Sequence, residues 1–342
     1  MGALTHAIGQ VGRGASRATA LTPEEAGDAM GAILDGRADP FELGAFLVAM
    51  RIKEETAGEL VAFVRAAQDR LIPFPGAAPL LTVPSYAGKR QTFPALIGAA
   101  CVLAACGVPV GLHGHATPPE RISMADVLGV LGCKPDDAPE VAVHRAADDL
   151  KRAGVAYLGV EQYLPAMHRM LELRRQMGLR SCFHTMGRLI NPFGASALVV
   201  GLSHERTFGK FAEACKQLGY KGLMAFRGLE GEAEGNPFTA TEGWTLGDNG
   251  EVTGFEIDPA ALGNKKASRG EITVADAAAG AHMLTDALNG EGPEIARDTI
   301  ALTAAAGLVS TAVEPDIKSA FSRAREAIAG GDAHERLRLW LG

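Results

Sequence analysis

Apolar residues along this chain keep one rhythm up to Arg70 and a different one afterwards. In the first stretch they recur at three- and four-residue steps, the period of a helix with one buried face. Thr22-Pro23-Glu24-Glu25 supplies a hydroxyl N-cap, a proline at the first helical position and acids beside the positive helix end. A helix therefore starts there, and Gly36 stops it. Asp39-Pro40 opens a second helix, with Leu43, Phe46, Leu47 and Met50 at helical spacing. A third runs from about Glu55 to Arg70, with Leu60, Phe63 and Val64 on one side. PFPGAAP, from Pro73 to Pro79, is a linker.

Beyond the linker, short apolar runs alternate with helical stretches. Strands are expected at Leu80–Val83, Val108–Leu112, Val155–Leu158, Ala197–Leu202 and Tyr220–Phe226. Helices are expected at Leu96–Cys106, Ser123–Leu131 (with Gly132 as the stop), Pro139–Arg152, Tyr163–Met177 and His204–Leu218. Strand and helix in that order make a largely parallel sheet. Asp248-Asn249-Gly250, between two strand-like runs, reads as a hairpin turn, and the chain is alanine-rich and helical from Val274 onward. The fold class is α/β. A small α-helical domain is expected over residues 1–72, with a helical contribution from about 163–190. A large α/β domain with a mostly parallel central sheet is expected over 80–342.

Composition changes this picture little. The 342 residues are 47% hydrophobic and 21% charged, which suits folded domains with a sizeable core. Net charge is −7, from 33 basic and 40 acidic residues, which argues mildly against nucleic acid unless a local basic patch overrides it. None of the five cysteines shows CxxC spacing, so free thiols in a reducing cytoplasm are expected. The start lacks the apolar core of a signal peptide and no apolar run reaches membrane-spanning length; a cytoplasmic protein is expected.

Five stretches are candidates for chemistry. Gly9, Gly12 and Gly14 carry the glycines of a dinucleotide loop in the reverse spacing, GxxGxG, and no strand precedes them, so a flexible basic arm is the expectation. Leu112-His113-Gly114-His115 ends a strand, where open parallel sheets gather ligands. Its two histidines lack a third metal ligand at a recognisable spacing, so a ligand-facing or hydrogen-bonded turn is expected there. Arg227-Gly228-Leu229-Glu230-Gly231-Glu232-Ala233-Glu234 puts three carboxylates on a loop, where they either hold Mg²⁺ beside a phosphate or face solvent. Residues 165–190 carry Arg169, Arg174, Arg175, Arg180 and Arg188 against one acid, Glu172. Arg174 shares a helix face with Met167, Met170 and Leu171, whereas His168 and Arg175 share another, better placed for phosphate. VPSYAGKRQTFPAL, from Val83, adds Ser85, Tyr86, Gly88, Lys89 and Arg90 to a strand-to-helix turn; Arg121 occupies another turn.

DPFELGAFLVAMRIKEET, the run ending in GVPVGLHGH, ADVLGVLG and RRQMGLRSCFHTMGRLINP together resemble the anthranilate phosphoribosyltransferase superfamily over most of the chain. The resemblance implies the two-domain fold and a homodimer joined through helical parts. Where that family carries Gly-Thr-Gly-Gly-Asp, this chain has Pro84-Ser85-Tyr86-Ala87-Gly88. Lys-His-Gly-Asn becomes Leu112-His113-Gly114-His115, and the Asp-Glu metal pair becomes Ala233-Glu234. PSYAGKRQ and GLEGEAEGNP look like the YbiB-type branch, which implies a dimer that binds nucleic acid.

The main expectation is thus a homodimer binding nucleic acid without sequence preference. Lys89, Arg90, Arg169, Arg175, Arg180 and Arg188 would bind phosphates and Tyr86 would stack on bases, with no catalytic residue and no cofactor. Ser85, Tyr86, Gly88, His113, Gly114, His115 and Arg174 form the substrate-pocket-like set. The alternative is a phosphoribosyltransferase using phosphoribosyl diphosphate, with Glu230, Glu232 and Glu234 near Mg²⁺.

Overall fold

A computed structural model of the chain describes residues 2–14, 16–115, 120–133, 138–204, 207–247, 249–263 and 267–342, apart from the side chains of residues 174 and 175. Four helices come first: α1 (Thr5–Val11), α2 (Pro23–Leu34), α3 (Pro40–Lys53) and α4 (Ala57–Gln68). Thr22 caps α2 in a reciprocal capping box with Glu25, where the sequence put its N-cap, and Thr56 caps α4 in the same way with Glu59. The N-terminal stretch is not the flexible arm expected from its glycines. Leu4, Ala7 and Val11 stand three and four residues apart and are all buried, and Glu42 accepts from the Leu4 amide and the Thr5 hydroxyl.

The α/β part alternates as the pattern implied: β1 (Leu81–Ser85), α5 (Ala95–Ala105), β2 (Val110–Gly114), α6 (Met124–Val130), α7 (Pro139–Ala153) and β3 (Val155–Gly159). Next come α8 (Val160–Tyr163), α9 (Pro165–Met177), α10 (Phe183–Met186), β4 (Ala197–Gly201), α11 (Phe208–Leu218) and β5 (Gly222–Phe226). A hairpin of β6 (Thr241–Leu246) and β7 (Val252–Ile257) is followed by α12 (Ala277–Leu288), α13 (Glu294–Ser310), α14 (Ile317–Ala329) and α15 (Asp332–Leu341). Asp248 of the expected turn lies outside the described residues. The seven strands form one sheet in the order β3-β2-β1-β4-β5-β6-β7, parallel from β3 to β5 and antiparallel for the last two pairings.

Because strand side chains alternate between faces, the sheet divides the core in two. Ala197 and Val199 point into one cluster with α5 and α13, whereas Leu198 and Val200 point into the other. That second cluster also holds Phe46, Leu60 and Phe63 of the helical part and Tyr163, Met167 and Phe183 of α8, α9 and α10. The small helical domain is thus continuous in packing with one face of the sheet. No helix among the described residues is long and apolar enough to cross a membrane.

Candidate active site

β1 hydrogen-bonds to β2 on one side and to β4 on the other, so the chain turns away in opposite directions at this point of the sheet. Loops beyond the carboxyl ends of such strands part and leave a crevice. Here the crevice is a cavity of about 510 Å³, lined by Ala87 beyond β1, Leu202 and Ser203 beyond β4, and Arg227 and Gly228 beyond β5. Arg90, Arg121, Arg180, Arg227 and Arg269 line it, against one carboxylate, Glu230. Guanidinium groups keep their charge and bind oxyanions bidentately, so the arrangement has the chemistry to hold a phosphate.

The acidic loop closes one wall by binding the turn after β1. Glu232 Oε1 accepts from the amides of Ala87 and Gly88, both at 2.6 Å. Glu230 Oε2 accepts from the Arg90 amide at 2.5 Å, and its Oε1 lies 3.4 Å from Arg269. Glu234 takes the buried Lys89 ammonium at 2.5 Å and the Leu96 amide at 3.1 Å, while Lys89 also donates to the Leu229 carbonyl. Arg121 donates to the carbonyls of Ala87 and Gly88, so the turn is held from both sides.

Glycines permit this closeness. A Cβ at Gly228 would stand 1.5 Å from the Glu232 carbonyl oxygen, and one at Gly201 would stand 2.2 Å from it. Glu230 itself sits at φ +61°, a left-handed conformation that costs a non-glycine residue about 1–2 kcal/mol. Burial raises the Glu234 carboxyl against the opposing Lys89 charge. For Glu230, burial also works upward, but the Arg90 amide and Lys89 together hold its pKa below the ordinary value.

Behind this wall His113 is fully buried, with Nδ1 3.2 Å from the Tyr163 hydroxyl and 3.4 Å from that of Tyr86. The two phenols also hydrogen-bond to each other. Burial lowers the His113 pKa to about 3, so the ring is neutral, and it raises both phenols.

The expected phosphate set is therefore split. Arg90 and Arg180 reach the cavity and Arg169 is exposed on α9, whereas Lys89 is spent in its buried pair. Arg188 is half-buried, and burial lowers its pKa against the pull of Glu232. Tyr86 is only 6% exposed and offers no stacking face. Ser85 accepts the His115 amide through its carbonyl, and Gly114 is needed because a Cβ there would stand 2.0 Å from that oxygen. The Arg174 and Arg175 side chains lie outside the described residues. Glu230, Glu232 and Glu234 do not gather around one point, because each is turned to its own protein donors. As a shared magnesium chelate they do not fit. Sequence reasoning missed Arg227 and Arg269. Arg227 stood beside the acidic loop, but Arg269 gave no local signal and reaches the cavity only through the fold.

Residues 88–334 match the model described as glycosyl transferase family, a/b domain, and residues 5–71 match the helical bundle domain of the same family. The chain belongs to this glycosyl transferase family. Among its curated relatives, the anthranilate phosphoribosyltransferase of Arthrobacter sp. (strain FB24) is 32% identical over 94% of this chain and 91% of that protein. The enzyme of the same name from Syntrophobacter fumaroxidans is 31% identical over 93% of each. The crystal structure of anthranilate phosphoribosyltransferase from Thermus thermophilus superposes with a TM-score of 0.85 at 26% identity, covering 100% of this chain and 98% of that one. A Saccharomyces cerevisiae structure in complex with PRPP and Mg shares the fold at a TM-score of 0.83 and 19% identity, over 99% and 96% of the two chains.

These relatives carry a transferase's name over nearly the whole chain, which overturns the nucleic-acid-binding reading as the main expectation. The site gives physical reasons for the error. Lys89 and Tyr86, expected to face a polymer, are buried, and of the expected arginines only Arg90 and Arg180 line the cavity, where Arg121, Arg227 and Arg269 join them.

Proposed function

We propose that this chain binds phosphoribosyl diphosphate in the arginine-lined cavity and transfers its phosphoribosyl group to a small aromatic acid of the anthranilate kind. The observation that carries the reading is the cavity itself: about 510 Å³ at the sheet's switch point, with five arginines against one carboxylate. In the transfer, the acceptor's amine nitrogen forms a bond to the anomeric carbon. The carbon–oxygen bond to diphosphate breaks, diphosphate leaves with the bonding pair, and the amine's surplus proton passes to water. Arginines fixed around the departing group stabilise charge where it develops. Because Glu232 already holds the Ala87 and Gly88 amides, side chains rather than backbone bind the anion here. No step is routed through magnesium, since the acidic loop does not fit as its chelate. Arg174 is proposed to hold the acceptor's carboxylate, on the family likeness alone.

A homodimer belongs to the same reading. Phe41, Val48 and Ile52 of α3 lie on one face at seven- and four-residue steps, exposed by 89%, 39% and 63%, and a second copy is proposed to cover them.

Calorimetric titration with phosphoribosyl diphosphate, followed by the loss of anthranilate fluorescence on transfer, tests the function. Saturable binding that weakens about tenfold or more in Arg90→Ala and Arg227→Ala is expected, the scale of one lost charge-assisted contact. Absence of binding at millimolar ligand would overturn the reading. Glu232 favours a second reading, a member that binds the anion and turns nothing over. Intact binding with no product from anthranilate would support it.

A further inference from the structure

We propose that His115, Glu161 and His168 form a binding site for one divalent first-row transition ion, with zinc the best match to the ligand set. The fold brings together residues that the sequence keeps far apart. β2 and β3 are parallel with Gly114 opposite Gly159, so the residues that leave both strands emerge side by side. His115 follows β2 directly, its amide fixed on the Ser85 carbonyl at 3.2 Å. Glu161 lies in α8, immediately after β3, and His168 is in the first turns of α9. One ligand atom from each of the three lies within 4.8 Å of the others.

Three further observations point to an ion. Glu161 Oε2 and His168 Nδ1 are both shielded from solvent at the atom, and neither has a hydrogen-bond partner. Leaving such atoms unsatisfied is costly, and at 3.8 Å they are too far apart to satisfy each other. Two ligands on one tetrahedral zinc, at bond lengths of about 2.0–2.1 Å, stand about 3.3 Å apart, so a small inward movement suffices.

Next, Gly159 makes room for the carboxylate, since a Cβ there would stand 2.1 Å from Glu161 Oε1. Finally, Glu172 Oε1 lies 3.2 Å from His115 Nε2, the carboxylate-on-imidazole contact that orients histidines in metal sites. The Glu161 and His168 side chains are 41% and 35% exposed, so an ion has a way in.

Two imidazoles and one carboxylate select borderline metals over magnesium or calcium, which take oxygen. Three protein ligands leave a position for water or for an oxygen of a bound acid. The site stands beyond β2 and β3, whereas the arginine-lined cavity stands beyond β1, β4 and β5, and the inference does not depend on the proposed transfer.

The test uses untagged, chelator-stripped full-length protein. Zn²⁺ is titrated in competition with a chromophoric chelator, and Co²⁺ uptake is followed by its visible absorption. One ion per chain is expected, with affinity falling about tenfold or more in His168→Ala and in Glu161→Gln while circular dichroism stays unchanged. His282→Ala, which removes an 81% exposed histidine beside Asp286, should leave uptake as it was. No stoichiometric uptake would overturn the proposal. So would uptake that ignores both His168→Ala and Glu161→Gln, or that His282→Ala abolishes equally.

Discussion

His113 shows how much one buried side chain constrains this protein. The ring is fully buried against two phenols, and burial holds its pKa near 3, below the ordinary 6.5. An unfolded chain takes up this proton as pH falls through 6.5, and the folded chain does not do so until about 3. Between those values the unfolded state binds more protons, so stability falls with falling pH, by up to about 1.4 kcal/mol per unit. His113→Gln removes that proton. Urea unfolding at pH 7.5, 6.5, 5.5 and 4.5 should show the variant losing less stability than the wild type across the window. Parallel curves would mean that His113 is solvated or protonated in the folded state.

At the scale of elements, the decisive unit is the clasp between the turn after β1 and the loop after β5. Lys89 and Glu234 are each about 1% exposed and meet at 2.5 Å, with further bonds to the Leu229 carbonyl and the Leu96 amide. Such a pair contributes little against an apolar replacement, but breaking one half strands a buried charge. Lys89→Met is therefore expected to cost about 3–5 kcal/mol, and adding Glu234→Leu should restore much of it. Chemical unfolding of the three proteins measures both effects. A single variant as stable as the wild type would show that the clasp opens to water in solution. The clasp matters for function because Glu232 and Glu230 ride on the same loop and cap the amides of Ala87, Gly88 and Arg90.

For the whole molecule, the open question of packing lies on α3. Phe46, Leu47 and Met50 are fully covered by the chain's own helices, so they do not call for a partner. Phe41, Val48 and Ile52 remain outside. If a second copy covers them, Phe41→Asp with Ile52→Asp should convert a dimer into a folded monomer in light scattering at micromolar concentration. A wild type that is already monomeric there would refute the proposed dimer.

The N-cap at Thr22, the proline-rich linker and the alternation of apolar runs were legible in the sequence because they arise from neighbours a few residues apart. They determined the helical start and the parallel strands, while the likeness to the family rested on longer motifs such as the run from Asp39 to Thr56. The helix expected from Tyr163 starts instead at Pro165, because Leu164 before the proline is non-helical, and Val160–Tyr163 form the separate α8. The site was decided elsewhere. Lys89 looked like a solvent-facing charge until Glu234, 145 residues away, took it. Arg269 had no motif and joined the cavity only because its turn packs beside the acidic loop. His115 lacked a third ligand by spacing and gained Glu161 and His168 from the register of β2 and β3. Local pattern specifies elements because period and capping are short-range. Which charges are buried, paired or gathered around one point depends on contacts across the sheet, and these only the tertiary structure sets.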